Sequence, residues 1–455
     1  MTEATDDPMA TDPSAIKPPA ANPMTADPPV SDLIGESEDD EVAPTVDPFD
    51  AQAIIRGRRQ WPLPKQAVPG APLLVVEHLT TRFKMAGGSI KAVDDVSFTL
   101  NDGEALGIAG ESGCGKTTTA LSLVQLLPAN GRIGKDSSVK LFGIDLAKKS
   151  EDALRRYRWR EISIIFQGAM NALNPVRRIN EQIAEPIELR LKVASDEAMK
   201  RAGELLELVG IPAKRGQAYP HELSGGMRQR AMIAMALACD PAVVIGDEPT
   251  TALDVMVQAQ ILELLERLRR ELGLSLILIT HDLSVIAETC DRVMVMYAGK
   301  VAEEGRVDVI FRTPRHPYTQ KLIGSFPNIH ADRRTLDVIP GSPPDLRNPP
   351  PGCRFHPRCP FAMAVCMTEV PPEVSFADGV RVACHLYPPG SDGVPITKPT
   401  KDAIGVTDDE IGLGAGVFSD RSEVLEELSN EEPGDPFTMG PSHGLTDDHS
   451  LDTFE

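Results

Sequence analysis

The chain has no apolar run of the roughly 18–20 residues that a helix needs to cross a bilayer. It also lacks a basic N-terminal stretch followed by an apolar core, so no secretory leader is expected. Cysteine is sparse, seven in 455 residues, and in the cytosolic setting these absences imply, structural disulfides are not expected. Excess positive charge is missing as well. The formal net charge is −21, which argues against nucleic acid as a partner. That charge sits at the ends. Residues 1–50 hold 13 acidic residues against the single basic Lys17, and residues 389–455 hold 16 against three, which leaves the middle slightly basic. Both ends are rich in Pro, Ser, Thr and Gly and poor in aromatics. Such segments bury too little apolar surface to offset ordering entropy, so 1–72 and 389–455 are expected to be disordered acidic tails.

What is present is led by Gly110-Glu111-Ser112-Gly113-Cys114-Gly115-Lys116-Thr117, which has the form G-x-x-x-x-G-K-[ST]. The strand-like Ala105–Ala109 precedes it. A helical pattern from Thr118 to Leu127 follows and is closed by Pro128. In that setting, backbone N–H groups and a helix N-terminus wrap anionic oxygens. Lys116 then reaches the β- and γ-phosphates, and Thr117 holds Mg²⁺ through its hydroxyl, with Thr118 beside it. Upstream, Leu73–Glu77 and Arg82–Phe83 read as a first strand, and Ile90–Leu100 as a β-rich pair broken near Asp94. Phe83 is either a stacking platform for a flat base or ordinary strand core.

Downstream, the β-branched run Ile162–Phe166 ends at Gln167, a side chain able to coordinate Mg²⁺ or position water. Asn180–Lys192 and Asp196–Val209 read as helices, with Ser195 as the N-cap of the second and Gly210 at its C-terminus. Leu223-Ser224-Gly225-Gly226-Met227-Arg228-Gln229 opens an apolar helix, where a second anion site and simple capping both fit. The apolar Ala242–Gly246 leads into Asp247-Glu248-Pro249. There Asp247 would organise Mg²⁺ and Glu248 would polarise an attacking water as general base. Asp254 caps a helix over 255–272 that Gly273 ends, and the strand Leu274–Thr280 ends at His281.

Taken together, these elements resemble the nucleotide-binding subunit of an ABC transporter over roughly 73–325. Gly110–Thr117 is similar to the Walker A loop, Gln167 to the Q-loop and Leu223–Gln229 to the signature sequence. Asp247 and Glu248 resemble Walker B and its catalytic glutamate, Ala252–Asp254 the D-loop and His281 the switch histidine. The resemblance implies an α/β P-loop NTPase with an antiparallel β subdomain and a helical subdomain. It also implies that two such subunits pair head to tail around ATP, so that Ser224, Gly225, Gly226, Gln229 and Asp254 reach the partner's nucleotide. One motif set implies a second ATPase subunit, a paralogue or another copy. Membrane subunits would dock near Gln167 and segment 168–222, placing the chain at the cytoplasmic face of the membrane. Phe166-Gln167 with Ala172–Pro175, His316-Pro317-Tyr318-Thr319, Ile339–Pro344 and Gly352–Pro360 resemble the dipeptide and oligopeptide importer ATPases. Gly168 and Ala169 depart from that pattern at the Q-loop. The substrate is read by membrane subunits and a periplasmic or extracellular binding protein. Nickel chelates, glutathione and oligosaccharides are therefore alternatives to peptides. A soluble ABC ATPase would bring a second nucleotide domain or a coiled-coil insertion, and this chain has neither. A catalytically weak partner would lack Glu248 or His281.

Cys353, Cys359, Cys366 and Cys384 cluster in the expected extension, 326–388, a small irregular domain. Their gaps fit neither the usual zinc spacing nor the common ferredoxin run. A [4Fe–4S] cluster, a structural zinc and metal-free thiols all stay open, and the resemblance tilts towards the cluster. Cys114, Cys239 and Cys290 read as packing or loop residues.

Overall fold

A computed structural model describes residues 71–396 apart from 169–171, 252, 326–338 and 392. The expected tails, with Ala169 and Ala252, thus fall outside the described residues almost entirely. Just past Pro388 the chain is still held, because the Ile396 N–H donates to the Leu386 carbonyl at 3.0 Å.

Strands β1 (Leu74–Met85) and β2 (Gly88–Leu100) form one long antiparallel hairpin. The sequence leaves residues 78–81 of the first strand unassigned and places a break near Asp94 in the second. Both strands instead run through irregularities, with register shifts between Val76 and Arg82. His78 (φ 52°) and Asp95 (φ 61°) take left-handed conformations there, and the His78 ring lies 2.8 Å from the Asp95 carboxylate. A bulge bends a strand without ending it. Strand β3 (Ala105–Ala109) is wholly buried and feeds the glycine loop and helix α1 (Lys116–Leu123). The helix stops short of the expected Leu127. Gln125 is left-handed at φ 50°, and the Leu126 N–H returns to the Leu121 carbonyl. Strands β4 (Gly131–Ile133), β5 (Ser138–Leu141) and β6 (Ile144–Asp145) complete the first sheet. Its order is β2-β1-β5-β6, with β4 also on β1.

After β7 (Ile162–Ile165) comes a helical layer of α2 (Ile179–Leu191), α3 (Ser195–Leu208) and α4 (Gly225–Ala236). The periodic Ala198, Ala202, Leu205 and Leu206 are all buried in one core with Ile183, Ile187 and Ile233. Ser195 is the first helical residue rather than the cap, which falls on Ala194. Its hydroxyl donates to the Glu188 carboxylate at 2.8 Å, a charged acceptor that outcompetes capping.

The remaining elements are β8 (Val243–Asp247), α5 (Val255–Leu272), β9 (Ser275–Ile279), α6 (Leu283–Thr289), β10 (Arg292–Tyr297), β11 (Lys300–Arg306), α7 (Val307–Arg312), α8 (Pro317–Gly324), β12 (Glu373–Ser375) and β13 (Arg381–Ala383). The second sheet has eight strands in the order β12-β13-β11-β10-β3-β9-β8-β7. From β10 to β7 it is parallel. The extension, expected to be irregular, adds β13 to this sheet by antiparallel pairing with β11, and β12 by antiparallel pairing with β13. Glu304, almost wholly buried on β11, accepts from both Arg292 and Arg381 and ties that junction. Among the described residues, no helix is long and apolar enough to cross a membrane.

Candidate functional site

Parallel neighbours β3, β9, β8 and β7 release their loops at the same sheet edge, where α/β folds collect their ligand chemistry. That edge carries Gly110–Thr117 after β3, His281 after β9, Glu248 after β8 and Gln167 after β7.

The glycine loop is wedged against backbone. A Cβ on Gly110, at φ 142°, would lie 2.2 Å from the Met296 carbonyl, and one on Gly115, at φ 107°, would lie 2.4 Å from the Ala92 carbonyl. Only glycine fits such contacts at such angles. Gly113 is also left-handed, but space is open around it. Ser112 and Gly113 are exposed, whereas Cys114 is buried. The Lys116 ammonium donates to the Gly110 carbonyl at 2.6 Å and to that of Glu111 at 3.2 Å, so the loop closes on its own lysine. The Thr117 hydroxyl donates to Asp247 Oδ1 at 3.1 Å. Thr118 is half-buried in the first turn of α1, its carbonyl accepting from the Ser122 hydroxyl. Burial pushes the Asp247 carboxyl above the ordinary carboxylate range, and the Thr117 hydroxyl works against that shift.

Glu248 lies at the centre of a second set of contacts. Its Oε2 accepts from Gln167 Nε2 at 2.8 Å and from the Thr251 hydroxyl at 2.9 Å. The His281 Nδ1 stands 3.6 Å from its Oε1 and is largely exposed. Glu248 is held at φ 47°, while its N–H donates to the Ile279 carbonyl at 2.8 Å. A left-handed non-glycine residue is unusual, and such strain concentrates where a side chain must be aimed. The hydroxyl–carboxylate pair Thr117–Asp247 has the chemistry to take a divalent cation. The carboxylate of Glu248, oriented by an amide and a hydroxyl, has the chemistry to accept a proton from water.

Residues 93–251 match the family model for the ABC transporter, and residues 302–366 match that for the oligopeptide/dipeptide transporter C-terminal region. A Brucella abortus (strain 2308) chain, provisionally named a peptide import ATP-binding protein, is 52% identical over 304 residues, 66% of this chain and 91% of its own. The dipeptide transport ATP-binding protein of Bacillus subtilis is 45% identical over 332 residues, 72% of this chain and 99% of its own. The oligopeptide transport ATP-binding protein of Escherichia coli K12 is 47% identical over 314 residues, 69% and 92% of the two chains. This chain belongs to the ABC ATPases of the peptide-importer family. A solved dimeric ATP-binding cassette matches 51% of this chain and 98% of its own, at 29% identity and a TM-score of 0.47.

In this ABC ATPase Ser224, Gly225 and Gly226 sit at the start of α4. Ser224 caps it by accepting from the Met227 N–H at 3.3 Å, and Asp254 caps α5 by accepting from the Val257 N–H at 2.9 Å. The two helix starts meet. A Cβ on Gly226 would lie 2.7 Å from Val257 Cγ1, so Gly226 lets α5 approach. The Gln229 side chain is buried, and its Nε2 makes no hydrogen bond among the described residues. Phe83 stands half-buried on β1, its ring edge against Gly131 of β4.

All seven cysteines are free thiols. Cys114, Cys239 and Cys290 are buried, in keeping with packing, and burial pushes Cys239 and Cys290 up to about 12. Cys353 donates its N–H to the Cys366 carbonyl at 2.9 Å, and Cys384 directly follows β13. Burial pushes Cys359 up to about 12 and raises Cys384 as well. Both rises come chiefly from desolvation of the thiolate. Among the described residues, no group of three or more His, Cys, Asp or Glu is arranged to hold a metal ion.

Sequence reasoning missed Thr251, Tyr297, Tyr318 and Arg358. Thr251 sits three residues past Glu248, a spacing that a helical turn makes meaningful. Tyr318 and Arg358 lay in quoted motifs but carried no role, because the residue they serve, Glu111, is 207 and 247 positions away.

Proposed function

We propose that this ATPase powers import of dipeptides or oligopeptides as one of two nucleotide-binding subunits docked on two membrane subunits at the cytoplasmic face of the membrane. The observation that carries the reading is the shared sheet edge, where Lys116 and Thr117–Asp247 lie beside the Gln167–Glu248–Thr251 cluster. The relatives' names supply the cargo. The ATPase core spans 73–325 and the peptide-transporter-type extension 326–388.

Lys116 and the N–H groups of Gly113–Thr117 would bind the β- and γ-phosphates, with Glu111, Ser112 and Thr118 flanking and Phe83 against the base. Thr117, Asp247 and Gln167 would hold Mg²⁺, which supplies charge to the phosphates. Glu248 takes the proton of the attacking water, Gln167 and Thr251 fix its carboxylate, and His281 donates towards the γ-phosphate. Ser224, Gly225, Gly226 and Asp254 contact the nucleotide of the partner subunit, whereas Gln229, expected to join them, is buried inside α4 and does not reach it. A periplasmic or extracellular binding protein delivers the peptide.

The test is the chain reconstituted with its second ATPase subunit and membrane subunits. Peptide-loaded binding protein should raise ATP turnover and drive ATP-dependent uptake. Stimulation by a nickel chelate, glutathione or an oligosaccharide, with none by peptide, would overturn the cargo and leave the motor.

A finer proposal concerns Cys353, Cys359, Cys366 and Cys384 as holders of a [4Fe–4S] cluster or a zinc ion. The backbone bond that brings Cys353 to Cys366 supports it, and the lack of a ligand arrangement among the described residues stands against it. Iron, sulfide and zinc analysis of anaerobically purified protein decides. A folded protein free of all three would end the proposal.

A further inference from the structure

Glu111, the second residue of the phosphate loop, is held from outside that loop at two points. Its N–H donates to the Tyr318 hydroxyl at 2.8 Å, and its carboxylate receives Arg358 through two bonds, Nη1 to Oε2 at 2.6 Å and Nη2 to Oε1 at 2.9 Å. The Arg358 side chain is 7% exposed and spends the rest of its donors nearby. Nε donates to the Pro340 carbonyl at 2.7 Å, Nη1 to the Tyr297 hydroxyl at 3.1 Å and Nη2 to the Gly341 carbonyl at 3.5 Å. All five guanidinium N–H groups thus have acceptors, which is the most an arginine can make. Tyr297, Tyr318 and Phe355 pack ring on ring beneath the pair at 4.6–5.4 Å.

Arg358 itself is carried on the single turn His356–Arg358, between Cys353 and Cys359. The Cys353 carbonyl accepts from the His356 N–H, and the His356 carbonyl accepts from that of Cys359. The neighbouring Arg354 reaches back too, to Asp94 and to the Ala298 carbonyl. Both arginines of the cysteine-bearing turn therefore bind the ATPase core. The Arg358 link also meets the lysine, because the Glu111 carbonyl is one of the two that Lys116 donates to.

We propose that Arg358 is a positioning residue for ATP binding: through Glu111 it holds the phosphate loop in its binding shape, so that the cysteine-bearing extension sets nucleotide affinity. A loop already held in shape loses less freedom when phosphate arrives. Arg358 acts before the transition state, so its loss weakens ATP binding and leaves the chemical step intact. The inference rests on the ATPase reading.

The test is a double-mutant cycle of Arg358→Gln, Glu111→Gln and the pair, in the full-length chain. A fluorescent ATP analogue with Mg²⁺ reports Kd. The importer reconstituted with its partner subunits reports KM and kcat. Loss of a bidentate, charge-assisted pair should raise Kd and KM about tenfold in each single variant. The double variant should be no weaker than the worse single, because both remove one interaction. For Arg358→Gln, kcat should stay within about twofold. Arg358→Lys, which keeps the charge but not the fork, should recover only part of the affinity. If Arg358→Gln unfolds the extension, Tyr318→Phe takes its place. It removes the acceptor of the Glu111 N–H while leaving every cysteine and Arg358, and Kd should rise about threefold. An unchanged Kd in the folded variants, additive effects in the double, or a fall in kcat alone would overturn the proposal. Wild-type protein that fails to bind and hydrolyse ATP would instead overturn the ATPase reading beneath it. Lys116→Ala supplies the floor for binding.

Discussion

Replacing Glu248 by glutamine keeps the shape of the side chain and removes its basicity. Oε2 is the busier oxygen, accepting from Gln167 at 2.8 Å and from Thr251 at 2.9 Å. The amide oxygen of Gln can keep both bonds. The new NH₂ then takes the place of Oε1, 3.6 Å from the His281 ring, where a neutral imidazole nitrogen can accept. No buried group loses its partner, so stability should change by less than about 1 kcal/mol. The positive φ of 47° is unaffected, because both residues meet the same backbone strain. ATP binding should survive, since Lys116 and the loop amides are untouched. Hydrolysis should fall roughly 10²- to 10⁴-fold, the span general-base catalysis usually covers. The assay is phosphate release at saturating Mg²⁺-ATP in the reconstituted importer, with the equivalent change in the second ATPase subunit. A fluorescent ATP analogue reports binding. Turnover within a factor of about three of wild type would refute the general-base role, and lost binding would show that Glu248 shapes the site instead.

Three further outcomes follow from the same structure. Gly110→Ala forces a Cβ to 2.2 Å from a backbone carbonyl at a positive φ, so it should lower Tm and abolish measurable ATP binding, whereas Gly113→Ala, in open space, should do neither as strongly. Asp254→Ala removes the acceptor for the Val257 N–H and should cost about 1 kcal/mol in denaturant unfolding, with no change expected if the cap contributes nothing. Glu303 gives a pH dependence. Burial pushes its carboxyl from 4.5 up to about 7, against the Arg315 and His316 N–H groups that donate to it. An acid whose folded value is raised stabilises the protein below 4.5 and loses that contribution as pH climbs towards 7. The Tm of wild type should therefore fall relative to that of Glu303→Gln as pH rises from 4.5 towards 7, and a difference that does not change with pH would contradict it.

The site was legible where chemistry lives on short loops at strand ends. Gln167, Asp247, Glu248 and His281 each end an apolar run, and parallel pairing of β3, β9, β8 and β7 was enough to gather them. Local signals misled where a competing partner lay elsewhere in the chain. Ser195 has capping chemistry, but Glu188 takes its hydroxyl. The breaks expected in the first hairpin are bulges, because pairing across the sheet carries the strand past His78 and Asp95. Nothing near Arg358 in sequence points to Glu111. Likewise, the three-residue strands β12 and β13 are too short to show a period; β13 forms against the edge that β11 offers, and β12 against β13.

The most direct measurement is uptake of labelled dipeptide and oligopeptide by cells lacking this gene alone. If the chain is the motor of a peptide importer, uptake falls, the intact protein restores it, and the Glu248→Gln variant does not. Wild-type uptake of both peptides in the deletion strain, with no other importer induced, would contradict peptide import as the work this ATPase powers.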